Sequence, residues 1–489
     1  MNTIETAGLG RLRPSSRWPD ALRFGWADLL GLIGIASVVV VVCMWLRTQG
    51  VQSAVSSIDG ALSSLGLLTG LVSADLMVLQ TVVLARIPWV ERAWGHDLLT
   101  HRHRTLGYWS FWLMVAHVVL FGVQRAMRGG SEWLTGLYDV FIHNPWFLFA
   151  TLGTLMLIGV VVTSIRWARR RLRYESWHLL HLYAYLGMGL ALPHQLSDGM
   201  HFHSPLAQAY WWSIWGLAVV ATLVFRVGLP VWRSLYHRLR VSEVKLETPD
   251  VTSVVVEGYR LKRLRTRSGQ FFIWRFLDGA GWTRGNPYTI SDAPNRDRLR
   301  VTVQAAGEGS ARAAQLEPGT RVAIEGPYGT MTAERRRHPR MLAMAAGVGI
   351  TPIRALIADT PYGPGEATLI YRYTDEGHAI FRDELEEIAA RRGVELVLMP
   401  GRRSADGSWL PVGTNGDDRT QAARAGRRRP GHLSLRPPGL DRCRSPGGTC
   451  GRGSPNADPH RGLRLVAAET NRKESPCAGS RSGSQRRSP

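Results

Sequence analysis

Along the first half of the chain, apolar residues come in long blocks and do not alternate with polar ones. Blocks at roughly 27–46, 61–85, 105–124, 146–165, 176–193 and 208–229 each approach the ~20 residues a helix needs to cross a ~30 Å hydrocarbon core. They predict an all-α membrane bundle of six spans. The first block lies too far into the chain, and is too long, for a cleaved signal peptide. From about 241 the pattern shortens to "VTSVVVEGY", "GQFFIWRF" and "LRVTVQAAG", punctuated by Gly, Pro and Asp, which predicts a small β-barrel. From about 339 it becomes strand–turn–helix, with "RMLAMAAGVGITPIRALIAD", "ATLIYRYTDEG", "FRDELEEIAARRG" and "VELVLMP". That is the βαβαβ opening of a doubly wound α/β sheet. The expected organisation is an N-terminal segment 1–26, a six-span domain 27–235, a barrel 236–335, an apparently incomplete α/β domain 336–420 and a basic tail 421–489. The tail is rich in Arg, Gly, Pro and Ser without apolar periodicity, a composition that predicts disorder.

Charge sharpens the membrane reading. The formal net charge is +22, but the basic residues sit at the ends of apolar blocks and in the tail. A nucleic-acid binder needs a basic face on a folded module, so nucleic acid is not an expected partner; membrane lipid is. Arg86, Arg92, Arg102 and Arg104 follow the second block, Arg166 to Arg173 the fourth, and Arg226 to Arg240 the sixth. By the positive-inside rule these loops face the cytoplasm, which predicts a multi-pass cell-membrane protein with both termini cytoplasmic. The four cysteines show no CxxC or paired spacing, so neither a zinc site nor a disulfide framework is expected.

An ionisable side chain inside a span is costly and suggests function. Span three carries His103 and His117, fourteen residues apart; span five carries His181 and His194, thirteen apart. At 1.5 Å per residue these steps are about 21 and 19.5 Å, and the two spans run in the same direction. His103 and His181 therefore share the cytoplasmic level, and His117 and His194 the outer level. A single such histidine is most simply a core or interfacial residue. Four at matched depths predict two haems b, each held by two imidazoles. Fourteen steps return a side chain nearly to the same helix face; thirteen do not, so span five is expected to be distorted, with Pro193 as the means. Outside the membrane, Arg125, Arg128, His201, Phe202 and His203 are the residues in view near an outer pocket.

The barrel segment "RGNPYTISDAP" offers an aromatic to lie on a flavin and hydroxyls for its polar atoms. "GEGSARAAQL" offers a helix start for a pyrophosphate, and "AAGVGITP" a glycine turn into a helix N-terminus. Each alone is an ordinary glycine turn. Their order behind the membrane domain makes the combination specific.

Residues about 20–415 resemble a flavocytochrome of the ferric reductase and NADPH oxidase superfamily, in its bacterial ferredoxin-reductase-like branch. The residues that carry this are "RIPWVERAWG", the two histidine spacings, "NPYTIS", "EGPYG" and "AGVGITP". The resemblance implies a ferredoxin–NADP reductase-like module and electron flow from NADPH (or NADH) through FAD and two haems. The acceptor would lie outside and be a small molecule, ferric chelate or dioxygen. It implies FAD contacts from Arg284, Asn286, Pro287, Tyr288, Thr289, Ile290, Ser291, Gly309 and Ser310. It implies nucleotide contacts from Gly347, Val348, Gly349, Ile350, Thr351 and Pro352, with Arg372 for a 2′-phosphate. Asn286 stands where the family often has Arg or His, which shifts the expected phosphate contact to Arg284 or Arg312. Two alternatives remain: a haem-binding electron-transfer subunit serving a protein partner, or an inactive truncated reductase. The second arises because a one-base forward shift lets "LRPPGLDRCR" spell "CGPPAWTDA" and "NADPHRGLRLVA" spell "TPIHTEDFAW" before a stop. Both are family-like, so a frameshift is expected near residue 420.

Overall fold

The computed structural model describes residues 20–129, 135, 138, 143–198, 204–279, 285–295, 297–336, 338–401, 432–436 and 464–466. The chain divides into two compact units, Met1–Arg335 and Arg336–Pro489. The first unit begins with helices α1 (Asp20–Arg47), α2 (Gly50–Ser56), α3 (Ile58–Val83), α4 (Pro88–Trp94) and α5 (His96–Gly129). It continues with α6 (Pro145–Ser164), α7 (Arg166–Arg171), α8 (Tyr174–Asp198) and α9 (Pro205–Ala221). A π-helical stretch, Thr222–Gly228, then leads into α10 (Leu229–His237).

Among the described residues, five helices are long and apolar enough to cross a membrane: Gly25–Arg47, α3, α5, α6 and the continuous Pro205–His237. The sixth expected span folds as α8, 25 residues long. It has the length, about 37 Å at 1.5 Å per residue. Ser176, His178, His181, His194 and Gln195 dilute its apolar run, so it does not reach the composition of the other five. Large apolar side chains such as Leu32, Ile35, Leu155 and Leu223 point outward and are exposed, as a lipid-facing surface requires.

The membrane helices pack as antiparallel pairs, α3 along α5 and α6 along α8. Small residues let the second pair close up: a Cβ added at Gly153 would stand 2.5 Å from the Gly187 carbonyl oxygen and 3.2 Å from the Ala191 nitrogen. A polar clasp ties three spans together. Asp75 of α3, fully buried, accepts from Ser37 Oγ of α1 at 2.7 Å and from Tyr210 Oη of α9 at 2.6 Å. Arg226 donates to the Leu84 carbonyl at 3.1 Å, a cation placed where α3 ends, as the helix dipole favours.

The barrel comprises β1 (Arg240–Thr248), β2 (Val251–Glu257), β3 (Phe271–Phe276), β4 (Asn286–Thr289), β5 (Arg298–Gln304) and β6 (Val322–Tyr328), with a short helix α11 (Glu308–Ala311). Two three-stranded sheets, β1-β2-β5 and β4-β3-β6, close over Val254, Val256, Phe272, Trp274, Ile290, Val301 and Ile324. Alternating apolar positions in β3 and β5 supply that core, because successive strand side chains face opposite ways.

The second unit holds β7 (Met341–Ala346), α12 (Ile350–Asp359), β8 (Ala367–Tyr373), α13 (Arg382–Arg392) and β9 (Glu395–Pro400). β7, β8 and β9 pair in parallel. The expected end of this domain at 420 needs correction. β10 (His432–Arg436) pairs parallel to β7, and β11 (Arg464–Val466) pairs antiparallel to β10, giving the sheet order β11-β10-β7-β8-β9. The physical reason is that the edge of β7 offers backbone groups to a further strand. The rest of the expected disordered tail, and the frameshift expected near 420, fall on residues outside the described ones.

Replacing Gly153 by valine should force α6 away from α8 and cost about 1–3 kcal/mol, the usual range for overpacking. Thermal unfolding of the detergent-solubilised protein checks this, and an unchanged transition would mean that the two backbones do not meet at Gly153.

Candidate functional site

Helices α5 and α8 place the four span histidines as two facing pairs. The His103 and His181 ring centroids are 6.0 Å apart, and those of His117 and His194 are 6.5 Å apart. Two metal–imidazole bonds of about 2 Å, plus roughly 1 Å from each nitrogen to its ring centre, put centroids about 6 Å apart. Both pairs therefore have room for one iron between their rings. α8 stays helical through Pro193, the one residue in it that lacks a backbone donor.

The fit to haem can be tested on the donor set. Each pair supplies two imidazoles. Among the described residues, no group of three or more His, Cys, Asp or Glu could hold a bare metal ion. Two axial ligands suit an iron whose remaining ligands come from a macrocycle. The rings are also oriented: His117 Nδ1 lies 2.8 Å from the Gly66 carbonyl oxygen, and His103 Nδ1 lies 3.3 Å from that of Gln80. His181 Nδ1 lies 3.2 Å from Ser164 Oγ. Such bonds place the proton on Nδ1 and leave Nε2 as the basic nitrogen, the usual outer-shell arrangement for a metal-binding histidine. Gly66 and Gln80 are fourteen residues apart on α3, the same step that separates His103 from His117 on the antiparallel α5.

Glycine makes the first of these contacts possible. A Cβ at Gly70 would collide with the His117 imidazole. Gln80 sits in the last turn of α3, where carbonyls lack helical partners. These supporting residues were not among those expected. The Gly66-x-x-x-Gly70 spacing, a known mark of close helix approach in membranes, was the available signal. Between the two histidine levels, Met114, Leu157 and Met188 form a buried apolar layer with Phe111 and Trp215 against it.

In the barrel, Asn286 and Gly309 line one cleft together with Phe276, Asp278, Arg312 and Leu316. The two expected flavin segments thus meet. Ser310 Oγ accepts from the backbone nitrogens of Ala306 and Gly307, at 2.9 and 3.0 Å, and so shapes the start of α11. Arg312 Nη2 bonds Asp278 Oδ2 at 2.8 Å. Tyr288 is half-buried, and burial pushes its phenol up to about 12. Ile290 and Ser291 are fully buried: Ile290 belongs to the barrel core, and the Ser291 hydroxyl accepts from Thr302 Oγ1 at 2.7 Å while its N–H donates to the Arg300 carbonyl. Arg284, His201, Phe202 and His203 lie outside the described residues.

At the junction of barrel and membrane helices, Arg86 Nη1 pairs with Glu325 Oε1 at 3.0 Å. Burial works against its charge, yet Glu325 opposite it holds the guanidinium above its ordinary pKa.

In the second unit, the turn Gly347–Gly349 joins β7 to α12, so backbone N–H groups and a helix start lie at the carboxyl end of a parallel strand, where anions bind. Gly347 has φ +52° and open space where a Cβ would go. Ile350, Thr351 and Pro352 are buried in the first turn of α12, which leaves Val348 and the glycines as the turn's outer residues. Arg372 of β8 is the ladder partner of Ala346, one residue before the turn.

The chain thus carries a helical domain with two facing imidazole pairs, a barrel and a parallel α/β sheet. Residues 69–192 match the family model described as ferric reductase like transmembrane component. The ferredoxin reductase component of 3-ketosteroid-9-alpha-monooxygenase from Mycobacterium tuberculosis is 29% identical over 187 residues, 35% of this chain and 51% of that protein. NADPH oxidase 1 of Mus musculus is 21% identical over 254 residues, 44% of this chain and 41% of that protein. The chain therefore spans about half or less of these relatives' lengths. Among solved structures, the cytochrome b5 reductase domain of Ulva prolifera nitrate reductase aligns at 21% identity and a TM-score of 0.33, covering 42% of this chain and 88% of that one.

Valine at Gly347 should cost about 1–2 kcal/mol, the penalty of a left-handed conformation for a residue with a Cβ, and should weaken NADPH binding. Alanine at Gly349, where φ is −63°, should change stability little. Thermal unfolding and a nucleotide titration of both variants check the contrast.

Proposed function

We propose that this protein is a cell-membrane oxidoreductase that passes electrons from cytoplasmic NAD(P)H to a small acceptor on the other side, a ferric chelate or dioxygen. The observation that carries the reading is the pair of facing imidazole couples, with His103 and His117 of α5 oriented at Nδ1 from the matching fourteen-residue step on α3. His103 and His181 would hold one haem b at the cytoplasmic level, and His117 and His194 a second at the outer level. Five long apolar helices, with α8 as the sixth span, would form the bundle, and the arginine-rich loops would put both of its ends in the cytoplasm.

Bound flavin supplies the conversion of a two-electron hydride into single electrons, which haem iron takes one at a time. The chain's own residues bind and orient. Tyr288 and Thr289 would lie against the isoalloxazine. Asn286, Pro287, Gly309 and Ser310 would line the rest of the FAD, with Arg312 near its phosphates. Gly347, Val348 and Gly349 would cradle the nucleotide at the start of α12, and Arg372 would meet a 2′-phosphate. No side chain is needed as a general acid or base.

Two outcomes are expected. The purified protein should bind about two haems, and His117→Ala combined with His194→Ala should remove one while the other keeps its bis-imidazole spectrum. Full haem content in the double variant would sink the assignment. Leucine at Gly70 should have the same effect from a residue that is no ligand, because it displaces His117. NADPH added anaerobically to membranes should reduce the haem without any protein partner; no reduction would favour a subunit that depends on a partner.

A further inference from the structure

The loop between α3 and α5, "RIPWVERAWGH", meets the "EGPYG" turn of β6 within the first unit. Arg86 Nη1 pairs with Glu325 Oε1 at 3.0 Å, and Arg275 Nη1 lies 3.4 Å from Glu325 Oε2. One carboxylate thus bridges a guanidinium from the membrane side and one from the barrel. Tyr328 closes the cluster. Its hydroxyl donates to Glu325 Oε1 at 3.3 Å, its ring lies 4.6 Å under the Arg86 guanidinium carbon, and His96 stacks on it at 6.2 Å. Glu325 and Tyr328 are buried.

The backbone is bent to build this contact. Arg86 has φ +62°, a left-handed conformation uncommon for a residue with a side chain. Gly95 has φ +79°, and a Cβ there would sit 3.0 Å from Thr330. Further bonds run the same way: Arg233 donates to the Gly326 carbonyl, and Arg335 Nη2 donates to the Arg92 carbonyl at 2.8 Å. The row Thr289, Phe271 and Tyr328 crosses β4, β3 and β6 in register. The barrel edge that carries the proposed flavin contact therefore ends on this cluster.

We propose that Arg86 and Glu325 are positioning residues: their buried pair fixes the barrel on the membrane helices and so sets the rate of electron transfer from flavin to the cytoplasmic-level haem. This rests on the function proposed above. A flexible tether would leave the barrel mobile. A mostly buried ion pair across the junction, its carboxylate steadied by Arg275 of the barrel and backed by backbone bonds, holds one geometry, and misplacement by about 1 Å can cost roughly a hundredfold in rate.

The test uses the full-length holoprotein in detergent or nanodiscs, with Glu325→Gln, Arg86→Gln and the exchange Arg86→Glu with Glu325→Arg. Flavin bleaching by NADPH, FAD content and the dithionite-reduced haem spectrum should match wild type in Glu325→Gln. Haem reduction after flavin bleaching should slow by roughly tenfold or more, and the exchange should recover part of that loss. Wild-type haem reduction in Glu325→Gln, or an exchange no faster than the slower single variant, would overturn the proposal. Hydrogen exchange reads the joint without turnover. Faster exchange at 86–96 and 324–330 in Glu325→Gln supports it, and unchanged protection there overturns it even if the wild type carries no haem or ignores NADPH. That last result in the wild type would instead count against the function proposed above.

Discussion

The membrane domain depends on one constraint: an imidazole N–H inside hydrocarbon must find an acceptor. An unbonded polar group there costs several kcal/mol. α3 meets the demand with backbone, since a carbonyl oxygen has two lone pairs and can serve its own helix and a neighbour. The carbonyls of Gly66 and Gln80 therefore fix both imidazoles of α5. Because both steps are fourteen residues, aligning α3 with α5 at one level aligns them at the other. The close approach at Gly66 and Gly70, the antiparallel pairing and the direction of each Nε2 follow from the same register.

α8 meets the constraint less uniformly. His181 is oriented by a side chain, Ser164 Oγ, at the end of α6. That hydroxyl also accepts from Trp177 Nε1 at 3.3 Å, so the cytoplasmic level is braced by a small polar network. His194 sits beside Phe147 at 5.9 Å, in the first turn of α6. α6 thus supplies a polar partner to His181 and an aromatic neighbour to His194.

Much of this was legible in the sequence, for physical reasons. Apolar block length reports the membrane helices, because the bilayer sets it. Histidine depth was readable because rise per residue is fixed. The partners of the histidines were not, because a backbone carbonyl leaves no residue type to recognise. In the barrel, "NPYTIS" marked the strand but not which of its side chains are buried, as those of Ile290 and Ser291 are. The strands β10 and β11 were not expected because "HLSLR" and "RLV" are short and lie inside a composition that argues against order.

The junction is a different use of charge. A buried ion pair is weak evidence for stability, since desolvation offsets much of the attraction, and an apolar replacement of similar volume is often as stable or more so. Removing one partner is what costs, by about 3–5 kcal/mol, because the other charge is left unpaired. An apolar patch would hold the barrel to the helices with less directional preference. Glu325 instead pairs with Arg86 across the junction at 3.0 Å and with Arg275 of its own barrel at 3.4 Å, so a shift of the barrel stretches the Arg86 pair while Arg275 holds the carboxylate in place. Any shift of the barrel along the junction therefore stretches a directional contact; an apolar patch would oppose such a shift less.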